Sequence, residues 1–118
     1  MEDYILIVDD QILTRSILQQ FLQESGYKVQ CATNGRECLD IACSSEKPYL
    51  ILLDYNMPEI TGLEVLAMLR KKETTKDIPV IMLTASENIK DKAMSYGAAT
   101  VLARPLDFHA LIEAIRKV

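Results

Sequence analysis

A chain of 118 residues, 49% hydrophobic and 25% charged, has the make-up of one globular domain over residues 1–118, with apolar residues enough for a real core. A net charge of −4 argues against direct nucleic-acid binding by this chain, since that depends on Lys and Arg neutralising phosphates. The start Met1-Glu2-Asp3-Tyr4 lacks the pattern of a secretion signal, and no apolar run approaches the roughly 20 residues of a membrane span. The odd set Cys31, Cys38 and Cys43 lacks CxxC spacing and reads as core or half-buried thiols of a reducing compartment. A cytoplasmic protein without membrane contact is expected.

The first apolar run, residues 5–8, is wholly aliphatic and ends in Asp9-Asp10. Leu13, Ile17, Phe21 and Leu22 follow at helical spacing, and Gly26 is a natural stop. Residues 28–32 alternate polar with apolar, as an edge strand does; Asn34 with Glu37 then opens a second helix. Residues 50–53 are again aliphatic and end in Asp54, with Thr61 and Glu64 as the capping pair of a third helix. The run 80–83 ends at Thr84, and a fourth helix is predicted from about 86 to 96, closing at Gly97. Residues 100–103 form a last strand before Arg104-Pro105, and Phe108, Leu111, Ile112 and Ile115 make the stripe of a fifth helix.

Five strands alternating with five helices predict a doubly wound (βα)5 α/β domain with a five-stranded parallel sheet. The fully aliphatic strands belong in the centre, which gives the flavodoxin-like order 2-1-3-4-5. Its topological switch lies between strands one and three, and ligands bind beyond the carboxyl ends of strands at such a switch. Asp9, Asp10 and Asp54 are predicted there. Two unit charges at contact distance repel by about 1 kcal/mol in water and about 4 kcal/mol at an effective dielectric near 20, so three crowded carboxylates call for a cation. Oxygen ligands without nearby His or Cys suit Mg²⁺ rather than zinc, and His109 on the last helix reads as a surface residue. A divalent ion makes a carboxylate usable as a nucleophile toward phosphorus; Thr84 could donate to the phosphoryl group and Arg104 could pair with its oxygens. These residues describe phosphoryl transfer to an aspartate.

The motifs Val8-Asp9-Asp10, Leu53-Asp54-Tyr55-Asn56-Met57-Pro58 with Gly62, Leu83-Thr84-Ala85, Gly97-Ala98 and Arg104-Pro105 resemble, in order and spacing, the receiver domain of two-component response regulators. The resemblance covers residues 4–118. It implies that Asp54 is the phosphoacceptor, served by a histidine kinase or a histidine phosphotransfer protein. It implies that Mg²⁺ is held by Asp10 and Asp54 directly, by Asp9 through water, and by the Asn56 backbone carbonyl. It further implies a moving Thr84, a cis peptide before Pro105, and Asn56 and Ser86 as tuners of phosphoaspartate lifetime. Output to an attached domain or target protein would pass through the face of helix four, strand five and helix five, which also docks partners or forms a dimer; Lys90, Tyr96 and His109 are expected to be exposed on it.

Two positions depart from the family pattern. Arg104 stands where lysine is usual, and Val101 where a rotating Tyr or Phe is usual. Arg is planar and forked where Lys is a compact point charge. Arg104 is expected to turn inward to the phosphoryl site, the alternative being an outward pair with Asp107. The competing functions are a degenerate receiver acting as a phosphate-independent binding module, an aspartate-nucleophile phosphatase of the haloacid dehalogenase type, and a flavodoxin-like cofactor carrier. Asn56, which cannot titrate, stands against the phosphatase, and the acidic loop after strand one stands against the carrier. The chain is therefore expected to catalyse only its own phosphorylation and dephosphorylation and not to be an enzyme toward other substrates.

Overall fold

The computed structural model describes residues 3–118, without the side chain of residue 87; Met1 and Glu2, part of the start compared above with a secretion signal, lie outside the described residues. Short apolar runs between polar turns build the sheet. β1 (Ile5–Val8) leads into α1 (Ile12–Glu24), β2 (Val29–Ala32) into α2 (Gly35–Ala42), and β3 (Leu50–Asp54) into α3 (Gly62–Lys71). β4 (Val80–Thr84) leads through a 3-10 turn (Glu87–Ile89) into α4 (Lys90–Ser95), and β5 (Thr100–Ala103) into α5 (Phe108–Lys117). Every strand pair is parallel, and the order is the expected β2-β1-β3-β4-β5.

The aliphatic content of the three central strands follows from burial on both faces. All residues of β1, β3 and β4 are buried, whereas β2 and β5 are partly open at the edges. On one face Leu6, Val8, Ile51, Leu53, Val80 and Met82 meet α2, α3 and α4. On the other, Ile5, Ile7, Leu50, Leu52, Ile81 and Leu83 meet α1 and α5. Cys38 lies in the first of these cores, where burial, then its neighbour Cys43, pushes its thiol up to about 12. Cys31 is half-buried and Cys43 exposed.

Four details differ from the sequence expectation. β2 starts at Val29, one residue later than predicted, although the carbonyl of Lys28 still accepts from the amide of Ile5 (2.8 Å). β3 and β4 each run one residue further, so Asp54 and Thr84 are the last residues of their strands. The fourth helix is shorter than 86–96, because its first turn winds as 3-10 and true α-helix covers only six residues. The stripe predicted for α1 is also displaced: Leu13 and Ile17 are exposed (75% and 56%), and Leu18 and Leu22 carry the buried face. Adjacent helical residues point about 100° apart, so two aliphatic stripes coexist on α1 and the sheet covers only one. The expected stops hold, with Gly26 and Gly97 at positive φ and Asn34 and Thr61 as N-caps.

Candidate functional site

Register brings the acids together. Val8 pairs with Leu53 and Asp54 with Leu83, so Asp9 and Asp54 leave the sheet side by side at its carboxyl rim. Carboxylate oxygens of Asp9, Asp10 and Asp54 lie within 4.8 Å of one another. Asp9 and Asp54 are buried while Asp10 faces solvent, which leaves the cluster open on one side.

Local hydrogen bonds fix each member. Asp9 Oδ1 accepts from the Gln11 amide (2.9 Å), and Arg15 Nη1 donates to the Asp9 carbonyl (2.8 Å), which ties the acidic turn to α1. Asp54 Oδ1 accepts from the amide of Asn56, an exposed residue, at 3.3 Å. Behind it, a Cβ on Gly62 would sit 2.7 Å from the Asp54 carbonyl oxygen and 2.9 Å from Met82 Sδ, so only glycine lets α3 begin against the strand end. Thr84 is buried, and its Oγ1 accepts from the Ser86 amide (3.0 Å).

Arg104 completes the rim. It precedes the cis Arg104-Pro105 peptide, and its amide donates to the Thr84 carbonyl (2.9 Å). Its side chain turns inward: Nη2 stands 2.9 Å from Asp9 Oδ2 and 3.4 Å from Asp54 Oδ1. The outward pair with Asp107 does not form; Asp107 instead caps α5 by accepting from the amides of His109 (2.9 Å) and Ala110 (3.3 Å). Arg104 Nε is buried with no hydrogen-bond partner among the described residues. Val101 packs, partly buried, against the core on the α3 side, and His109 is exposed as expected.

Three carboxylates and one guanidinium leave an excess of negative charge at the rim. Burial first, then the Asp9 carboxylate and to a lesser extent Asp10, push the Asp54 carboxyl up to about 6 from 3.8, against the opposing pull of Arg104 and the Asn56 amide. The donors are all oxygen, and Arg104 offsets only one of three charges, so the set fits a hard divalent cation with open positions for water. Sequence reasoning missed Arg15; its signal was a cation one turn into the helix after Asp9-Asp10, placed to reach back. It also missed an aliphatic patch beside the rim, where Ile12, Leu13 and Ile17 stand exposed on the first turns of α1.

No helix among the described residues is long and apolar enough to cross a membrane. The chain is similar to sporulation initiation phosphotransferase F of Bacillus subtilis, 36% identical over 119 residues that span 99% of this chain and 94% of that one. It is similar to response regulator MprA of Mycolicibacterium vanbaalenii (36% identity) and transcriptional regulatory protein PcoR of Escherichia coli (38%), covering 95% of this chain in each case. The chain spans about half the length of these two relatives (48% and 49%). Among solved structures, response regulator TrrA of Thermotoga maritima in complex with Mg(2+)-BeF superposes with a TM-score of 0.88 at 37% identity, covering 98% of each chain. Chemotaxis response regulator CheY4 of Vibrio cholerae gives 0.88 at 31% identity, covering 99% of this chain and 98% of that one. The family profile of the response regulator receiver domain matches residues 5–116, so the acids, hydroxyl and cation at this rim stand in a chain that belongs to the response-regulator receiver family.

Proposed function

We propose that the chain is a phosphorylation-controlled switch of cytoplasmic two-component signalling, in which Asp54 accepts a phosphoryl group from a histidine kinase or histidine phosphotransfer protein. The observation that carries this reading is the position of Asp54: the end of the central strand, within 4.8 Å of Asp9 and Asp10 and faced by Arg104. The Asp54 carboxylate is the nucleophile. Its oxygen attacks phosphorus, the P–N bond to the donor imidazole breaks, and the leaving nitrogen takes up a proton. Asp54 ends as an acyl phosphate. Asp10 and Asp54 would hold Mg²⁺ directly, with Asp9 acting through water and the Asn56 carbonyl as a further ligand. When bound, the ion neutralises charge on the incoming phosphoryl group. Arg104 moves its fork from Asp9 to the phosphoryl oxygens, and Thr84 turns its hydroxyl toward them.

The exposed Ile12, Leu13 and Ile17 support a donor that docks over the start of α1, next to the acceptor. Output passes through α4, β5 and α5, which follow Thr84 and flank Arg104, to an output domain, a target protein or a second copy; Lys90, Tyr96 and His109 are exposed on these elements. Asn56 and Ser86 flank the site and tune the lifetime of the acyl phosphate. The chain acts only on itself, since Asn56 supplies no acid or base two residues after Asp54 for rapid turnover. One observation favours the degenerate, phosphate-independent module: a guanidinium already occupies Asp9 and Asp54. Incubation with acetyl phosphate and Mg²⁺, read by intact-protein mass, separates the two. The switch gains one phosphoryl group in wild type and none in Asp54→Asn; no gain in wild type leaves the binding module.

A further inference from the structure

We infer that α4 is a lever pinned at its far end by Arg70, so that the event at Thr84 moves only its near end; this rests on the relay through α4, β5 and α5 proposed above. The two ends of α4 are held differently. At the near end, Ile89 is an N-cap without a side-chain hydrogen bond, and the link back to the site is the Ser86 amide on Thr84 Oγ1 at 3.0 Å. When that hydroxyl turns to another partner, the Ser86 amide is released and the 3-10 turn keeps only the packing of Ile89 in the core. Between the ends, α4 buries a single residue, Ala93.

The far end is fastened three times over. The amides of Tyr96, Gly97 and Ala98 bond back to the carbonyls of Lys92, Met94 and Ala93, at 3.0 Å each. The Ala99 amide bonds to Val80 of β4 at 2.8 Å. From the last turn of α3, Arg70 reaches across to the Gly97 carbonyl with Nη2 at 2.9 Å and Nε at 3.3 Å. The stem of Arg70 lies where a Cβ at position 97 would be, 2.8 Å from Nε and 3.2 Å from Cδ, so Gly97 (φ +100) is demanded by the clamp as well as by its backbone. Arg70 Nη1 is buried without a hydrogen-bond partner among the described residues. Burial holds the guanidinium below the usual arginine value, with Asp77 pulling it back up. A charge kept half-buried on one backbone carbonyl is a fixture on α3 that holds the turn behind α4.

Residue-resolved amide exchange tests the pivot in wild type, Arg70→Gln and Arg70→Lys, each with and without Mg²⁺ and beryllofluoride. In wild type the ligand should change exchange roughly tenfold or more at residues 86–92 and less than about twofold at 95–99. In Arg70→Gln, residues 95–99 should exchange roughly tenfold faster before any ligand is added, with β1, β3 and β4 unchanged, and the ligand response should spread to them. Arg70→Lys keeps the charge without the fork and should fall between the two. Unchanged exchange at 95–99 in Arg70→Gln overturns the clamp. An equal ligand response at both ends in wild type overturns the pivot while leaving the relay intact. Silence at both ends, with fluorine resonances reporting bound beryllofluoride, removes the relay and the lever together.

Discussion

α3 and α4 follow the strands that end in Asp54 and Thr84, yet they are built to opposite standards. α3 opens with a complete capping box, the Thr61 amide on Glu64 Oε1 (2.8 Å) and the Glu64 amide on Thr61 Oγ1 (3.3 Å). It closes with Arg70 and Lys71 in its last turn and buries Gly62, Leu63, Val65, Leu66 and Leu69. α4 has six residues, no side-chain cap and one buried alanine. Burial of apolar surface is worth about 25 cal/mol per Å², so the helix that follows Asp54 is held firmly and its neighbour lightly. The proposed switch asks for this contrast: fixed geometry at Asp54 and a low cost of rearrangement in the element that would report on it.

The largest test of that contrast is Leu66→Ala, which should cost about 2–5 kcal/mol in urea unfolding because Leu66 is fully buried in α3. A loss below about 1 kcal/mol would mean that α3 is no firmer than α4. Next comes Asp54 itself, in metal-free protein with chelator present. Asp54 has a folded value of about 6 against 3.8, so the folded chain holds the extra proton between those pH values. Stability from this group is therefore highest below about pH 4, falls as pH rises through about 6, and stays low above. Asp54→Asn removes the penalty and should stabilise at pH 8 by on the order of 2 kcal/mol, with little gain at pH 4. Equal stability of variant and wild type at both pH values would show no strain at Asp54.

A matched pair sharpens the comparison at smaller scale. Met68→Gly in α3 and Lys92→Gly in α4 each lose about 1 kcal/mol of helix propensity at exposed positions. The α3 change should lower the global unfolding free energy by that amount. The α4 change should leave the global value nearly unaltered and speed local amide exchange instead; equal global losses would make α4 part of the same cooperative unit. Smallest is Glu59→Gly in the loop between β3 and α3, where Glu59 has φ 70. Relief of about 1 kcal/mol of left-handed strain is largely offset by glycine's looser unfolded state, for a net gain near 0.5 kcal/mol by thermal unfolding. A net loss would mean that the Glu59 side chain contributes contacts that outweigh its backbone strain.

The parallel order was legible because β1, β3 and β4 are aliphatic at nearly every position, a composition that only double-sided burial explains. The meeting of Asp9, Asp10 and Asp54 followed from that order, since parallel strands lift their carboxyl ends to one rim. The buried face of α1 was not legible: Leu13 with Ile17 and Leu18 with Leu22 offer equivalent spacings, and only the angle of α1 on the sheet chooses between them. Nor was the shortness of α4, since the 3-10 turn before it and its own start carry Asn88, Lys90 and Asp91 and no strong periodic signal. The inward turn of Arg104 was expected from its place at the rim, but its seat on Asp9 at 2.9 Å, nearer than Asp54 at 3.4 Å, was not.

The stacking of Phe21 on Phe108, centroids 4.4 Å apart, joins the first helix to the last and bears on synthesis order. The sheet face covered by α2, α3 and α4 has all its helices once residue 95 has been made. The opposite face, with Ile5 and Ile7 of the first strand, waits for Leu111 and Ile115 of the last helix. A nascent chain therefore carries a half-clad hydrophobic surface until its closing ten-residue helix leaves the ribosome, and closure joins segments more than a hundred residues apart. Truncations within α5 should accordingly aggregate rather than yield a slightly smaller domain.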